Sequence, residues 1–192
     1  MKKILVIAGA SGVGKTTIVT RLLESHKDFA LVRSVTTRAP RGDGHDGEYI
    51  YTDRKGFLRL VEDGGLLEHM EYGSELYGTP LSELSRIFEV GGIPTLILDI
   101  EGVKSLRRLR LDVRPVIFYL YDDIEAVEKR LFSRFKAEGL TEEKTRSFNR
   151  RMEANRRDYS ALPEIEHLFD SIVKNIGISE TADKIFELFS SI

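Results

Sequence analysis

The sequence predicts an α/β fold in which helices cover both faces of a parallel sheet. Five short apolar runs rich in β-branched residues are typical of buried strands: Ile4–Ala8, Leu31–Val35, Thr95–Ile100, Val116–Tyr121 and Ser171–Lys174. Four segments between or after these runs carry apolar residues at helical spacing: Thr16–His26, Leu81–Glu89, Ile124–Phe135 and Glu180–Phe189. Strands that alternate with helices pair in parallel, because each crossover helix returns the chain to the same end of the sheet.

Length and composition indicate a folded, soluble protein. The chain has 192 residues, of which 41% are hydrophobic and 31% charged, and this is ample for a buried core. A net charge of -2 at pH 7 disfavours general nucleic-acid binding. The sequence contains no cysteine, which excludes disulfides, thiolate zinc sites and cysteine nucleophiles. We find no signal peptide and no stretch of membrane-spanning length, so we expect a cytoplasmic protein without nucleic-acid or membrane partners.

The most informative motif follows the first predicted strand. The pattern G-x-x-x-x-G-K-[ST] is formed there by Gly9, Ala10, Ser11, Gly12, Val13, Gly14, Lys15 and Thr16, and Thr17 follows it. Glycines let such a loop fold around an anion, towards which its N–H groups and the next helix N-terminus point. Lys15 can reach the β- and γ-phosphates, and Thr16 can ligate Mg²⁺. The motif predicts a nucleoside triphosphate site at the carboxyl edge of this strand.

Two segments interrupt the alternation of strands and helices. Residues 36–79 are rich in Gly, Arg, Asp and Tyr, which predicts an inserted lobe with short strands and one helix near Lys55–Glu62. Residues 136–162 are highly charged, which predicts a solvated helix pair and is compatible with a mobile lid that closes arginines onto phosphates. The resulting single domain has a core at 1–35, 80–129 and 163–192, a lobe at 36–79 and a lid at 130–162.

The predicted lobe carries residues suited to a second phosphate-bearing ligand. Arg38 and Arg41 follow a strand end, and two arginines so spaced can hold one phosphate dianion from two sides. Downstream lie Tyr49 and Tyr51, whose hydroxyls can donate to phosphate oxygens, and Glu68, whose carboxylate can accept two N–H bonds from a purine edge. These residue types favour a second ligand site over a plain surface lobe.

Four motifs together resemble the guanylate kinases, a family of P-loop nucleoside monophosphate kinases. They are Ala-Ser-Gly-Val-Gly-Lys, Ser-Val-Thr-Thr-Arg-x-Pro-Arg, Leu-Glu followed by Tyr-Gly-Thr, and Leu-Asp-Ile, and the resemblance runs from Ile4 to about Asn175. It implies a P-loop NTPase-type parallel sheet flanked by helices, with a monophosphate-binding lobe and a helical lid. It also implies Mg²⁺-dependent transfer of a phosphoryl group from ATP to GMP, and to dGMP, by a monomer or a homodimer.

The resemblance assigns residues to the acceptor nucleotide. Ser34 and Thr79 would hydrogen-bond the guanine, and Glu68 would accept from its N1–H and 2-amino groups. The phosphate of GMP would be held by Arg38, Arg41, Tyr49 and Tyr77.

The resemblance also assigns residues to the donor nucleotide. Asp99 would act near Mg²⁺ through water, together with Thr16, and Asn175 would lie on the adenine side. The moving phosphoryl group would be stabilised by Lys15, Arg130, Arg134 and Arg151, with Arg150 as the alternative to the last.

Three departures from the family pattern affect the nucleobase side and the lid. Pro40–Gly44 departs from the usual Pro-Arg-x-Gly-Glu, and Asp43 is the nearest substitute for the glutamate. Leu98–Gly102 is about two residues shorter than the usual Leu-Asp-Ile-Asp-x-Gln-Gly, and Glu101 replaces its second aspartate. Arg151–Asn155 stands where the family usually has Arg-Leu-x-x-Ala.

These departures leave alternatives open. One is a kinase of this fold that acts on another small phosphate, such as a ribose bisphosphate or another nucleotide; Ser34 and Glu68 together favour guanine. Another is a non-catalytic guanylate-kinase-like interaction domain, which the intact phosphate loop disfavours. A regulatory GTPase is disfavoured because the sequence lacks an Asn-Lys-x-Asp motif after its later strands.

Overall fold

The computed structural model describes residues 2–40, 46–72, 74–137, 139 and 141–192, without the side chains of Asp46 and Tyr72. In chain order the elements are β1 (Lys3–Gly9), α1 (Lys15–Ser25), β2 (Phe29–Leu31), β3 (Ser34–Thr36), β4 (Tyr49–Tyr51), α2 (Arg54–Glu62), β5 (Leu66–Tyr72), β6 (Glu75–Pro80), α3 (Leu81–Glu89), β7 (Ile93–Leu98), α4 (Ile100–Arg108), β8 (Arg114–Tyr121), α5 (Ile124–Ala137), α6 (Glu142–Ile165), β9 (Ser171–Lys174) and α7 (Ile178–Ser191). Short 3₁₀ helices lie at Asp46–Glu48 and Glu166–Leu168.

The central sheet has five parallel strands in the order β2-β7-β1-β8-β9. Successive residues of β1 enter opposite layers of the core. Ile4 and Val6 pack with α3 and α4 on one face, whereas Leu5 and Ile7 pack with α1 and α7 on the other. A strand buried on both faces reads as a continuous apolar run. The predicted parallel sheet with helices on both faces is therefore confirmed.

A second sheet forms the inserted lobe. Its order is β4-β3-β6-β5, with β3 and β4 parallel and β6 antiparallel to both of its neighbours. The predicted lobe helix is α2, which begins after Asp53, whose carboxylate accepts from the Gly56 N–H at 2.7 Å. Phe57 of α2 is fully buried against Val35 and Leu76, which gives the lobe an apolar cluster of its own.

Two predicted strands have the wrong bounds. The predicted strand Leu31–Val35 is two strands in different sheets, β2 and β3, because the chain passes from the central sheet to the lobe between Leu31 and Ser34. The predicted strand Thr95–Ile100 ends at Leu98. There Asp99 accepts a hydrogen bond from the Gly102 N–H at 2.8 Å and begins α4, which the sequence analysis did not predict.

The highly charged segment 136–162 forms the end of α5 and most of one long helix, α6, rather than a pair of helices of its own. The hydroxyl of Thr141 accepts from the Lys144 N–H at 3.2 Å and so caps the start of α6. Met152 packs against α5, whereas Leu162 packs against the core. The helix thus continues past residue 162, where the sequence analysis ends the lid, and that boundary stays a prediction.

None of the helices in the described ranges has the length and apolarity needed to cross a membrane.

Candidate active site

The phosphate loop leaves the carboxyl end of β1, as the motif predicts, and runs into α1. Gly9 and Gly14 have φ angles of 146° and 104°, which disfavour residues with a Cβ. At Gly9 a Cβ would also lie 2.2 Å from the Leu120 carbonyl oxygen. Because the first N–H groups of a helix have no intrahelical acceptor, those at the start of α1 are available to an anion. The loop therefore has the backbone of an anion-binding site.

Lys15 spans this loop with its ammonium group. The Nζ atom donates to the carbonyl oxygens of Gly9 at 2.8 Å and Ala10 at 3.0 Å. Burial lowers the pKa of Lys15 to about 8, an effect that the carboxylates of Asp99 and Asp158 oppose and nearby arginines reinforce. The ammonium group of Lys15 therefore lies at the loop and loses its proton at a lower pH than an ordinary lysine.

Two of the predicted arginines contact the loop directly. Arg130 of α5 donates from Nε to the Gly12 carbonyl oxygen at 3.2 Å and from Nη2 to Asp122 Oδ2 at 2.6 Å. Arg151 of α6 donates from Nη1 to Ser11 Oγ at 3.1 Å.

The remaining arginines of this region are less closely held. Arg134 is exposed, with its guanidinium carbon 5.8 Å from the centre of the Phe135 ring. Its charge still acts on Lys15. Arg150, the alternative to Arg151, is exposed.

Two acidic candidates lie at the end of β7 and the start of α4. Asp99 is exposed, and its charge acts on both Lys15 and Glu68. Glu101 accepts from Lys104 Nζ at 2.7 Å on the exposed side of α4.

Asn175, directly after β9, also contacts the phosphate loop. Its Nδ2 donates to the Val13 carbonyl oxygen at 2.9 Å. Its Oδ1 accepts from the Gly177 N–H at 3.3 Å, so the side chain joins the phosphate loop to the start of α7.

An aromatic cluster surrounds Arg38 in the lobe. The Arg38 guanidinium carbon lies 4.9 Å from the ring centre of Tyr49 and 5.9 Å from that of Tyr51, within cation–π range. The Tyr77 ring lies 6.4 Å from that of Tyr49. Arg38 Nη1 is buried and has no hydrogen-bond partner among the described residues.

Glu68 and Thr79 form a polar pair on neighbouring strands of the lobe. Thr79 Oγ1 donates to Glu68 Oε1 at 2.7 Å. Burial raises the pKa of Glu68, the charge of Asp99 adds to this shift, and the Thr79 hydroxyl opposes it. Ser34 is half-buried at the start of β3. Arg41 and Asp43 lie outside the described residues.

Sequence reasoning missed four polar residues around the loop: Asp122, Asn155, Tyr159 and Asp158, whose charge acts on Lys15. Asp122 holds Arg130, and its position after the β8 strand is where parallel sheets place functional side chains. Asn155 and Tyr159 follow Arg151 at four-residue spacing along α6. That spacing places all three on one helix face and is the pattern that could have indicated them.

The fold and the site together define the class of this protein as a P-loop nucleotide kinase, with a triphosphate-type loop on the first strand of a parallel sheet and a separate lobe beside it. A family model for guanylate kinase matches residues 1–192. The guanylate kinase of Prochlorococcus marinus subsp. pastoris is 31% identical over 192 residues, which cover 100% of this chain and 98% of the relative.

Other matches agree with this one. The guanylate kinase of a Synechococcus species is 36% identical over 92% of this chain and 87% of the relative. The crystal structure of guanylate kinase from Anaplasma phagocytophilum matches with a TM-score of 0.71 and 25% identity, over 99% of this chain and 85% of that chain. The chain belongs to the guanylate kinase family, as its motifs indicate, and its activity is ATP-dependent phosphorylation of GMP to GDP.

Proposed function

We propose that the phosphate loop binds the donor ATP with Mg²⁺ and that the lobe binds GMP, with their phosphates meeting between Lys15 and Arg38. The observation that carries this assignment is the buried Nη1 of Arg38, which lacks a hydrogen-bond partner among the described residues. Buried donors are almost always satisfied. A phosphate dianion is the ligand that best fits a guanidinium with one buried nitrogen unpaired and another 3.4 Å from the Tyr51 hydroxyl.

The guanine is recognised by the other end of the lobe. Thr79 occupies one oxygen of the Glu68 carboxylate, and Oε2 has no hydrogen bond within the described ranges. Guanine offers this carboxylate two donors, N1–H and the 2-amino group, whereas adenine has an acceptor at N1. Ser34 and Thr79 complete the base contacts, and Tyr49, Tyr77 and Arg41 complete the phosphate contacts, as the family resemblance implies.

The chemical step needs no covalent intermediate with the protein. A phosphate oxygen of GMP forms a bond to the γ-phosphorus of ATP while the bond to the β,γ-bridging oxygen breaks, leaving ADP. Lys15 and the three lid-side arginines, Arg130, Arg134 and Arg151, stabilise the charge on the transferring group. Arg38 keeps the attacking oxygen in line. Closure of α5 and α6 over the site would exclude water.

The donor set also fits Mg²⁺. The Thr16 hydroxyl and the exposed Asp99 carboxylate are oxygen ligands, and Mg²⁺ in such sites takes one or two protein ligands besides phosphates and waters. When bound, Mg²⁺ supplies neutralising charge to the phosphates. Glu101, which follows Asp99 closely in the sequence, and Asp43 are assigned to the acceptor side on the resemblance alone.

A panel of acceptors tests this assignment. ADP release is measured with ATP and Mg²⁺ and with GMP, dGMP, AMP, CMP, UMP or a ribose bisphosphate. We expect turnover with GMP and with dGMP, because none of the proposed contacts involves the ribose 2′-position. Comparable turnover with AMP or with the ribose bisphosphate would contradict the role of Glu68.

A pair of matched variants tests the acceptor phosphate site. Arg38→Met should raise the KM for GMP about 10- to 100-fold, the cost of charge-assisted hydrogen bonds, with little change in the KM for ATP. Arg59→Met, an exposed arginine on α2 in the same lobe, serves as the control. Equal effects of Arg38→Met on both KM values would move Arg38 out of the acceptor site.

A further inference from the structure

Two side chains of α6 each bind both backbone groups of one residue near the phosphate loop. Asn155 Oδ1 accepts from the Ser11 N–H at 2.9 Å, and Asn155 Nδ2 donates to the Ser11 carbonyl oxygen at 2.9 Å. One turn later, the Tyr159 hydroxyl accepts from the Asp122 N–H at 3.2 Å and donates to the Asp122 carbonyl oxygen at 2.8 Å. These contacts join α6 to the phosphate loop and to the end of β8 in the central sheet.

The Asn155 side chain is buried, and its contact with Ser11 is matched in both directions. Asn155 is 1% exposed and its hydrogen bonds to Ser11 are partly buried, so water compensates only in part when they are lost. Ser11 needs an acceptor for its N–H and a donor for its carbonyl group, and a carboxamide supplies both from one planar group. The pair therefore fixes the position of Ser11 within the loop.

Ser11 is also the residue that Arg151 contacts. Arg151 precedes Asn155 by one helical turn and donates to Ser11 Oγ at 3.1 Å. Through one loop residue, the two side chains set the distance between the arginine and the loop. Because a small displacement of a charged group around the transferring phosphate strongly reduces the rate, this register matters for catalysis.

We propose that Asn155 is a positioning residue for the donor site. Its carboxamide holds Ser11 in a position that lets the phosphate loop and Arg151 bind the same phosphates. Asn155 itself does not touch the nucleotide. The inference relies on the proposed function only in taking an adenine nucleotide as the ligand of the loop.

The first test compares Asn155→Ala with Asn149→Ala, the same change at an exposed position of the same helix. In Asn155→Ala we expect the affinity for ADP with Mg²⁺, measured by calorimetry, and kcat/KM for ATP to fall about tenfold, as the loss of two partly buried hydrogen bonds predicts. The KM for GMP should change less than about twofold, because the lobe keeps its contacts. Asn149→Ala should match the unchanged protein.

The opposite pattern would overturn the proposal. If Asn155→Ala binds ADP as tightly as Asn149→Ala, Ser11 does not need the carboxamide. If the KM values for GMP and ATP rise equally, Asn155 supports the whole fold rather than the donor site. The ADP measurement needs no acceptor, so a protein that binds ADP but fails to phosphorylate GMP would refute the proposed function and leave this inference testable.

A second variant separates positioning from space filling. Asn155→Leu fills a similar space but removes both hydrogen bonds to Ser11 and adds no charge. Positioning predicts an affinity for ADP about as weak as that of Asn155→Ala. Near-normal affinity in Asn155→Leu would show that only volume matters and would overturn the proposal even if Asn155→Ala did not fold.

Discussion

The Thr79 hydroxyl donates a 2.7 Å hydrogen bond to Glu68 Oε1, so two neighbouring strands hold the carboxylate to which we assign guanine recognition. Burial and this hydrogen bond shift the pKa of Glu68 in opposite directions. Burial raises the pKa of Glu68, and the hydrogen bond from Thr79 lowers it. The pKa of Glu68 therefore depends both on its burial and on its contact with Thr79.

We predict that the KM for GMP rises as the pH falls, beginning at a higher pH than an ordinary glutamate would give. The carboxylate is ionised above its raised pKa and accepts both guanine donors. Below that pKa it is protonated and presents fewer acceptors. Glu68→Gln should raise the KM for GMP and remove this part of the pH dependence, while the titration of the GMP phosphate remains in both proteins.

Thr79→Val refines the same experiment. Without the hydroxyl, the pKa of Glu68 should rise further, so the increase in KM should begin at a higher pH than in the unchanged protein. If the KM for GMP varied with pH in the unchanged protein or in Thr79→Val as it does in Glu68→Gln, the assignment of Glu68 to guanine would be contradicted.

Binding of nucleotide to the phosphate loop should take up a proton. The pKa of Lys15 in the free protein is about 8, so at pH 8 about half of the molecules carry a neutral amine. Phosphates placed beside Lys15 raise its pKa and favour the ammonium form. We expect uptake of up to about half a proton per ADP at pH 8, measured by calorimetry in buffers with different ionisation enthalpies.

Lys15→Met should abolish this uptake, whereas Lys27→Met, at an exposed position after α1, should keep it. The Lys15 variant should also lower kcat by about 10²- to 10³-fold, the usual effect of removing a strong electrostatic group from a transition state. Unchanged proton uptake in Lys15→Met would assign the titration to another group.

The phosphate loop could be predicted from the sequence because the residues that form it are contiguous. Gly9, Gly14 and Lys15 belong to one short motif, and its spacing alone predicted a loop between the first strand and a helix. The apolar run Ile4–Ala8 of β1 was equally predictable, because a strand segment buried on both faces carries no polar residue.

Features that depend on distant partners could not be predicted. The chain passes from one sheet to the other between Leu31 and Ser34 without a glycine or proline to mark the change, which is set by pairing with β7 and β6. Asn155 contacts a residue 144 positions earlier. The sequence shows it only as a polar residue in a charged helix.

The ion pairs around Glu83 should stabilise the connection between core and lobe. Glu83 of α3 is 5% exposed and accepts from Arg33 Nη2 at 2.8 Å and from Arg86 Nε at 3.2 Å. Arg33 lies where the chain enters the lobe, and Glu83 lies just after it returns. Glu83→Ala should lower the free energy of unfolding by about 2–3 kcal/mol, measured by urea denaturation, because it leaves both arginines without this partner.

Glu89→Ala, at an exposed position of the same helix, should change the stability by less than about 0.5 kcal/mol. The hydrogen bonds from Arg33 chiefly hold the pKa of Glu83 at about 2. A depressed pKa gives stability that is present above the unfolded value and is lost as the pH falls towards 2. The difference between Glu83→Ala and the unchanged protein should therefore persist at pH 5 and shrink in stronger acid.

The last prediction concerns the pair formed by Asp122 and Arg130. The Asp122 side chain is 10% exposed and binds Arg130 Nη2 at 2.6 Å, while Arg130 Nε binds the Gly12 carbonyl oxygen of the loop. If Asp122 acts by orienting this arginine, its removal matters only while Arg130 is present. Arg130→Met should lower kcat by about 10²-fold, and Asp122→Asn should lower it by about tenfold, since the amide still accepts from the Asp123 N–H but loses its charge.

The double variant should then have the kcat of Arg130→Met alone, because residues in one hydrogen-bonded unit are not additive. Asp123→Asn supplies the control: its carboxylate pairs with Lys174 at 3.0 Å on the exposed side of the same turn. Its kcat should change by less than about twofold. Fully additive losses in the double variant would mean that Asp122 supports catalysis by a route that does not involve Arg130.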